Sequence, residues 1–266
     1  MVTQGALSTA NRHMSNSLER LSTGLRVNRA ADDAAGLSVS EQLRTQIRGS
    51  RMAIKNAGDG NSLLRIAEGA ANEVSAMLQR MRELGIQADN DTLTSVERGY
   101  LDQEFQALKS EISRISVSTQ YNGLTLLDGG SNSFGVTGGA SILHIGANNQ
   151  AGVDRITVGI QSITLGALGI DASAITGRPM ITQAIDNIDV AIQNVNSMRS
   201  DLGALMNRLD HAVNNLTVAE TNMQAAESVI RDVDFATETT EFTRNQILTQ
   251  SSTSMLAQAN QVPQGV

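Results

Sequence analysis

Residues 20 to 36 read RLSTGLRVNRAADDAAG, and the types in this stretch are those that do chemistry: Arg20, Arg26, Arg29 and the adjacent pair Asp32 and Asp33. Two carboxylates could share a metal ion or divide acid and base roles, and arginines could hold an anion. Adjacent side chains diverge in a helix or a strand, however, so one cation gains both only with ligands from elsewhere. None are evident. His13, His144 and His211 are far apart, no H-E-x-x-H or phosphate-loop pattern occurs, and the chain has no cysteine. No nucleophile–base constellation, cofactor site or metal site is expected, so the chain does not read as an enzyme. The alternative for the aspartates is structural: a helix beginning near Ala34 would take their carboxylates on its exposed N–H groups.

The elements that must position these residues follow from periodicity. Fifteen positions from Ile181 to Ile230, stepping by alternating threes and fours, are all apolar. Such a seam predicts a rod of about 75 Å facing a partner helix. Pro179 suits its first turn. Leu64, Ala67, Ala71, Val74, Leu78 and Met81 keep the same spacing, as do Leu101, Phe105, Leu108, Ile112 and Ile115. We therefore expect helices over about 37–88, 94–118 and from 179, in a mainly α, long-helix bundle with coiled-coil seams. Residues 123–177 hold twelve of the 23 glycines. There SILHIGA (141–147) and DRITVGI (154–160) predict a small central β element at one end of the bundle, with Ile156, Val158 and Ile160 on one face.

The ends of the chain carry weaker helices. Leu7, Asn11, Met14, Leu18 and Leu21 keep the spacing, and so do Leu248, Ser252, Met255, Ala259 and Val262. Each is short for stability in water, so ordering on assembly is expected. Aromatics are 2% of the chain, which disfavours a deep ligand pocket. A net charge of −7 disfavours nucleic acid as partner, and no apolar run is long enough to span a membrane. Export, if it occurs, is expected to use a route without a cleaved secretory peptide.

The stretch ERLSTGLRVNRAADDAAGLSVSEQL (19–43) resembles the N-terminal signature of bacterial flagellins. LQRMRELGIQA (78–88), QYNGLTLLDGG (120–130), LHIGAN (143–148), RDVDFATE (231–238) and LAQANQVPQ (256–264) match the same family in order. Flagellins usually open on Ile-Asn-Thr-Asn and close on Leu-Ser-Leu-Leu-Arg; against that pattern the chain reads as trimmed at both ends. It also leaves room for little or no variable outer domain. The resemblance implies five regions. These are an N-terminal helix and connector at 1–36, the first half of the rod at 37–122, and a Gly-rich β region at 123–178. The long C-terminal helix at 179–230 and a C-terminal connector and helix at 231–266 complete them.

It also implies a function, that of a secreted structural subunit that self-assembles into the flagellar filament for motility, at the cell surface. A hook–filament junction protein and a surface polysaccharide-binding flagellin-like protein are the alternatives. Implied partners are further copies of the chain, an export chaperone, the filament cap and the junction proteins. In this light Arg20, Arg26, Arg29, Asp32 and Asp33 belong to a connector that makes contacts within or between subunits. Arg231, Asp232, Asp234 and Glu238 are its expected counterpart. Leu7, Met14, Leu18, Leu248, Met255 and Ala259 would bury their side chains in the filament core. Flagellins that trigger the animal Toll-like flagellin receptor present an Arg and a Leu in Q-R-x-R-E-L and a Glu on the next helix. Those positions here are Arg80, Leu84 and Glu104.

Overall fold

The computed structural model describes residues 2–130, 133–134 and 141–261, with side chains described between 4 and 258 of these. Among the described residues, six helices and four short strands occur in this order: α1 (Val2–Thr23), α2 (Ala34–Ala88), α3 (Ser95–Ser118), β1 (Gln120–Tyr121), β2 (Leu124–Thr125), β3 (Ser141–His144), β4 (Arg155–Val158), α4 (Leu165–Leu168), α5 (Arg178–Arg231) and α6 (Phe235–Gln261). The chain divides into a central unit, 49–217, and a terminal unit formed by 1–48 and 218–266. The fold is mainly α with long helices and a few small strands, as the periodicity predicts.

In the central unit the predicted seams form one core. Leu64, Ala67, Ala71, Val74, Leu78 and Met81 of α2 are fully buried with Phe105 and Ile112 of α3 and Ile181, Ile188, Ala191 and Val195 of α5. Polar pairs on the flanks set the directions. Asn61 meets Asp210 at 3.0 Å, Glu68 meets Arg199 at 3.3 Å, and Arg82 meets Asp189 at 2.6 Å, so α2 and α5 run antiparallel. Arg80 to Glu104, and Arg98 to the carbonyl of Ala88, make α2 and α3 antiparallel as well. α3 begins at a capping box, in which the Thr94 hydroxyl accepts from the amide of Glu97 while the Glu97 carboxylate accepts from the amide of Thr94.

The α5 seam is tightly buried only as far as Leu209. Ala212, Leu216, Ala219, Met223 and Ile230 are half-buried and Ala226 is exposed. A 3-4 repeat records a helix's apolar face but not how many neighbours cover it.

The glycine-rich region departs from expectation in placement. It does not sit at one end of the bundle but packs along its sides. The β3–β4 hairpin lies on α2, where Asn56 donates to the carbonyl of His144 and a Cβ on Gly60 would meet Leu143 Cδ1 at 2.5 Å. Glycine here leaves room for the Leu143 side chain against α2. Ile156, Val158 and Ile160 do share a buried face. Ile163, Leu168, Ile170 and Ile175 enter the core from irregular chain and the one-turn α4.

A buried cation holds this segment. Lys109, 8% exposed, donates from Nζ to the carbonyls of Asp171 (2.6 Å) and Ser173 (3.1 Å), and Asp102 accepts the amide of Ile175 at 2.9 Å. The residue flanks the α3 seam, and its burial is invisible to a hydrophobic pattern. The β1–β2 hairpin turns on Asn122 and Gly123, both with positive φ (49° and 80°), as a two-residue turn of this kind requires.

Candidate connector and assembly surface

The connector is built inside the terminal unit where four chain segments meet. α1 ends at Gly24, whose φ of 73° reverses the chain. Residues 24–26 then run antiparallel to 231–233: the amide of Arg26 donates to the carbonyl of Arg231 at 2.7 Å, and that of Val233 to the carbonyl of Gly24 at 3.0 Å. The Arg26 guanidinium donates to the carbonyls of Ile230 (2.8 Å) and Val229 (3.4 Å). It thereby satisfies acceptors at the end of α5, where positive charge is favoured.

The two aspartates divide the capping role that sequence assigns to both. Asp33 accepts the amide of Gly36 at 2.9 Å and caps α2. Asp32 turns back instead, accepting the amides of Arg29 (2.9 Å) and Asn28 (3.2 Å). Asp234 caps α6, accepting the amide of Ala236 at 2.9 Å and the Thr237 hydroxyl at 2.8 Å. Asp232 accepts the Ser228 hydroxyl at 2.6 Å.

Of the side-chain pairings expected between the N-terminal and C-terminal sets, one is present: Arg20 faces the buried Glu238 at 3.7 Å. Arg29 and Arg231 use other partners, which no local pattern in the sequence marks. Arg29 pairs with Glu19 at 2.8 Å, and Glu19 also accepts from Asn28. Arg231 pairs with Glu41 at 2.8 Å, a carboxylate shared with Arg44 at 2.7 Å. Both glutamates lie inside or beside the motif that marks the segment. Their role needed the fold, because Glu41 and Arg231 are 190 positions apart.

These contacts acidify three carboxyls. The amides of Arg29 and then Asn28 hold Asp32 below its ordinary value, Arg231 and then Arg44 do so for Glu41, and the Thr237 hydroxyl followed by the amides of Ala236 and Thr237 do so for Asp234. Each is more acidic folded than unfolded, so its contribution is complete above the unfolded value, about 3.8 for the aspartates and 4.5 for Glu41, and is lost as pH falls through the lowered folded value. In an NMR titration the amide resonances of Arg29 and Ala236 should hold still from neutral pH to about pH 4 and move only below it. Movement completed above pH 4 would contradict the assignment.

The terminal helices α1 and α6 run antiparallel from this joint. The face of α1 turned inward carries buried Ala10 and Ser17, with Leu7, Met14 and Leu21 half-buried. The inward face of α6 carries Glu238, Phe242, Asn245, Thr249, Ser252 and Leu256. It is largely polar, and Leu248 (48% exposed) and Met255 (62%) on α6, with Leu18 (53%) on α1, lie on the exposed flanks of the pair. Phe235 and Ile247 are also exposed. Small Ala10 and Ser17 admit a close approach, and Ile247, Leu248 and Met255 stay exposed. The side chain of Ala259 lies outside the described residues.

The three positions matching the receptor motif are separated by burial. Arg80 pairs with Glu104 at 2.9 Å and Glu83 at 3.0 Å on the exposed side of α2 and α3. Leu84 is fully buried in the central core and presents nothing to a partner. It is a core residue, fixed there by its place on the α2 seam. Among the described residues, no group of three or more His, Asp or Glu is placed to hold a metal ion, and no helix is long and apolar enough to cross a membrane.

Comparison with known proteins points one way. The family model described as the bacterial flagellin N-terminal helical region matches residues 1–132, and that of the C-terminal helical region matches 185–266. A flagellin of Halalkalibacterium halodurans is 47% identical over 251 residues, covering 94% of this chain and 89% of its own. A flagellin of Bacillus subtilis is 44% identical, covering 98% and 96%. Among solved structures, the crystal structure of Bacillus cereus flagellin superposes with a TM-score of 0.53 at 32% identity, covering 65% of this chain and 94% of that one.

Proposed function

From the premise that this chain belongs to the bacterial flagellin family, and is a structural subunit of the flagellar filament, we propose how its terminal unit drives polymerisation. α1 and α6 are the assembly element. The observation that carries this reading is an inversion on α6: its inward face is largely polar, while Phe235, Ile247, Leu248 and Met255 are exposed. Leu18, Ile247, Leu248 and Met255 bury against neighbouring subunits, each contributing on the order of 1.5–3 kcal/mol. The same inversion leaves the pair weakly held alone. α6 is further weakened by hydroxyls that bond back to the carbonyl four residues earlier, at Thr239, Thr240, Thr243, Thr249 and Ser254. Helices of this kind become firmly ordered when assembly covers them.

The connector sets the direction in which α1 and α6 leave α2 and α5. Its ion pairs and caps are the register of the joint, and the exposed Arg29 is available to a neighbouring subunit. We infer passage through the flagellum's own export channel in partly unfolded form with a dedicated chaperone, then growth beneath a cap from the junction proteins. Family membership does not favour a junction role or polysaccharide binding. Electron microscopy of the full chain after seeding with filament fragments tests the central proposal. Growing filaments are the expected result; persistent monomer would overturn it.

Recognition by the Toll-like flagellin receptor is proposed through Arg80 and Glu104 without Leu84. The pair is exposed and pre-paired, so it presents a fixed charge pattern across two helices. An Arg80→Ala, Glu104→Ala double variant should lose the response of a receptor reporter cell by at least about tenfold, and the charge pair is too exposed for its loss to unfold the chain. An unchanged response would remove the proposal.

A further inference from the structure

Ten methionines occur in the chain, and they sit in contrasting surroundings. Met81 and Met198 are sealed in the central core, while Met52, Met180 and Met255 are exposed. Met255 differs from the other two exposed methionines in its company. It stands seven residues from Leu248, two helical turns along the same side of α6 with Ser251 and Ser252 between them, on the exposed side that the assembly proposal buries. We propose that Met255 is an oxidation-sensitive modification site that gates incorporation of the subunit: its thioether accepts an oxygen atom from a peroxide, and the sulfoxide form is refused by the growing filament. This inference rests on the assembly reading given above.

The chemistry is a two-electron oxygen transfer. The Sδ lone pair attacks one oxygen of hydrogen peroxide, the O–O bond breaks, an S–O bond forms, and water leaves after proton transfer. The sulfur is oxidised and the peroxide reduced. The product replaces a flexible apolar side chain by a polar one with a strong acceptor oxygen. Water satisfies that acceptor while α6 is exposed. Covered by a neighbouring subunit it must give up that water, and the donors one turn away on its own helix, the hydroxyls of Ser251 and Ser252, do not replace a hydration shell, so burying the sulfoxide opposes association. Assembly and oxidation are thereby mutually exclusive. Exposure leaves Sδ open before incorporation, and incorporation closes it. On this reading the vulnerable interval is the one between emergence of the subunit and its capture, and the filament protects what it has already taken.

The test uses the full chain, hydrogen peroxide, and a Met255→Leu variant, a swap that keeps volume and apolar character. Untreated wild type and untreated variant should both elongate seeds. After peroxide treatment the wild type should show at least a tenfold higher critical concentration, while the treated variant stays within about twofold of its untreated control. Peptide mapping should find the Met255 sulfoxide in treated monomer and little of it in treated filament, with Met81 and Met198 unmodified in both as a check that the core stayed closed. Equal loss of growth in wild type and variant, or unimpaired growth of wild type carrying the Met255 sulfoxide, overturns the gate. Failure of the untreated chain to elongate overturns the assembly reading, and the gate with it.

Discussion

A Leu248→Asp chain is expected to fold as a subunit and to stop adding to filaments. In the folded chain Leu248 is about half exposed on the flank of α6. Asp there still reaches water and removes little intramolecular packing. Far-UV circular dichroism and the urea midpoint of the central unit should therefore be unchanged, since residue 248 lies outside 49–217. In the filament the same position is proposed to be dry. The substitution then forfeits on the order of 1.5–3 kcal/mol of apolar burial and sets a carboxylate in a site with no partner, which adds several kcal/mol. At 1.4 kcal/mol per factor of ten, the critical concentration should rise by at least about 100-fold. Sedimentation of seeded reactions measures it. Leu248→Met keeps volume and polarity and should grow nearly normally. If the aspartate variant polymerises at the wild-type concentration, the outward face of α6 is not an assembly surface.

The second large effect concerns the central unit. Among the described residues Phe105 is the largest fully buried side chain, and it is one of only four phenylalanines in the chain. It projects from α3 into the core that α2 and α5 also line. With aromatics so sparse, the surrounding Leu, Ile, Val, Met and Ala side chains have no ring to move into the space. Phe105→Ala should cost about 3–5 kcal/mol of stability, from lost transfer energy and the cavity left behind. Urea unfolding of the full chain, followed through a signal from the central unit, measures the cost. Ile112→Val, two turns further along α3, should cost only about 0.5–1.5 kcal/mol by the same mechanism. The contrast between the two separates a true core position from a general weakness of α3. A loss under about 1 kcal/mol for Phe105→Ala would mean that the bundle collapses around the vacancy, contrary to a core held open by three long, mutually braced helices.

The two predictions also differ in how far the sequence anticipates them. Phe105 is read as core from spacing alone. Leu248 is read as a seam residue of the terminal helices, and its direction emerges only from the fold. The same division runs through the connector. Its charges are conspicuous in RLSTGLRVNRAADDAAG, and the capping role of Asp33 follows from its position before Ala34. That Arg231 takes Glu41, and that Arg26 reaches carbonyls more than 200 residues away, does not. Nothing near Arg26 in sequence reports the end of α5.

What the sequence determines by itself is local and periodic. Helix extents follow from 3-4 spacing and from caps such as Thr94 with Glu97; the tight β1–β2 turn follows from Asn122 and Gly123; the shared face of Ile156, Val158 and Ile160 follows from alternation. Each depends on backbone geometry within a few residues, which side-chain type reports directly. The tertiary structure decides which of two usable faces meets a partner. On α6 both the 242-245-249-252-256 stripe and the face bearing Leu248 and Met255 keep helical spacing, and the small side chains of Ala10 and Ser17, far away in the chain, admit the polar one. On α2 the fold closes Leu84 into the core while leaving Arg80 four residues earlier in water. It also carries the 163–175 segment into the core and seats it on Lys109. Periodicity names the faces available to a helix, and complementarity between distant segments selects the one that is buried.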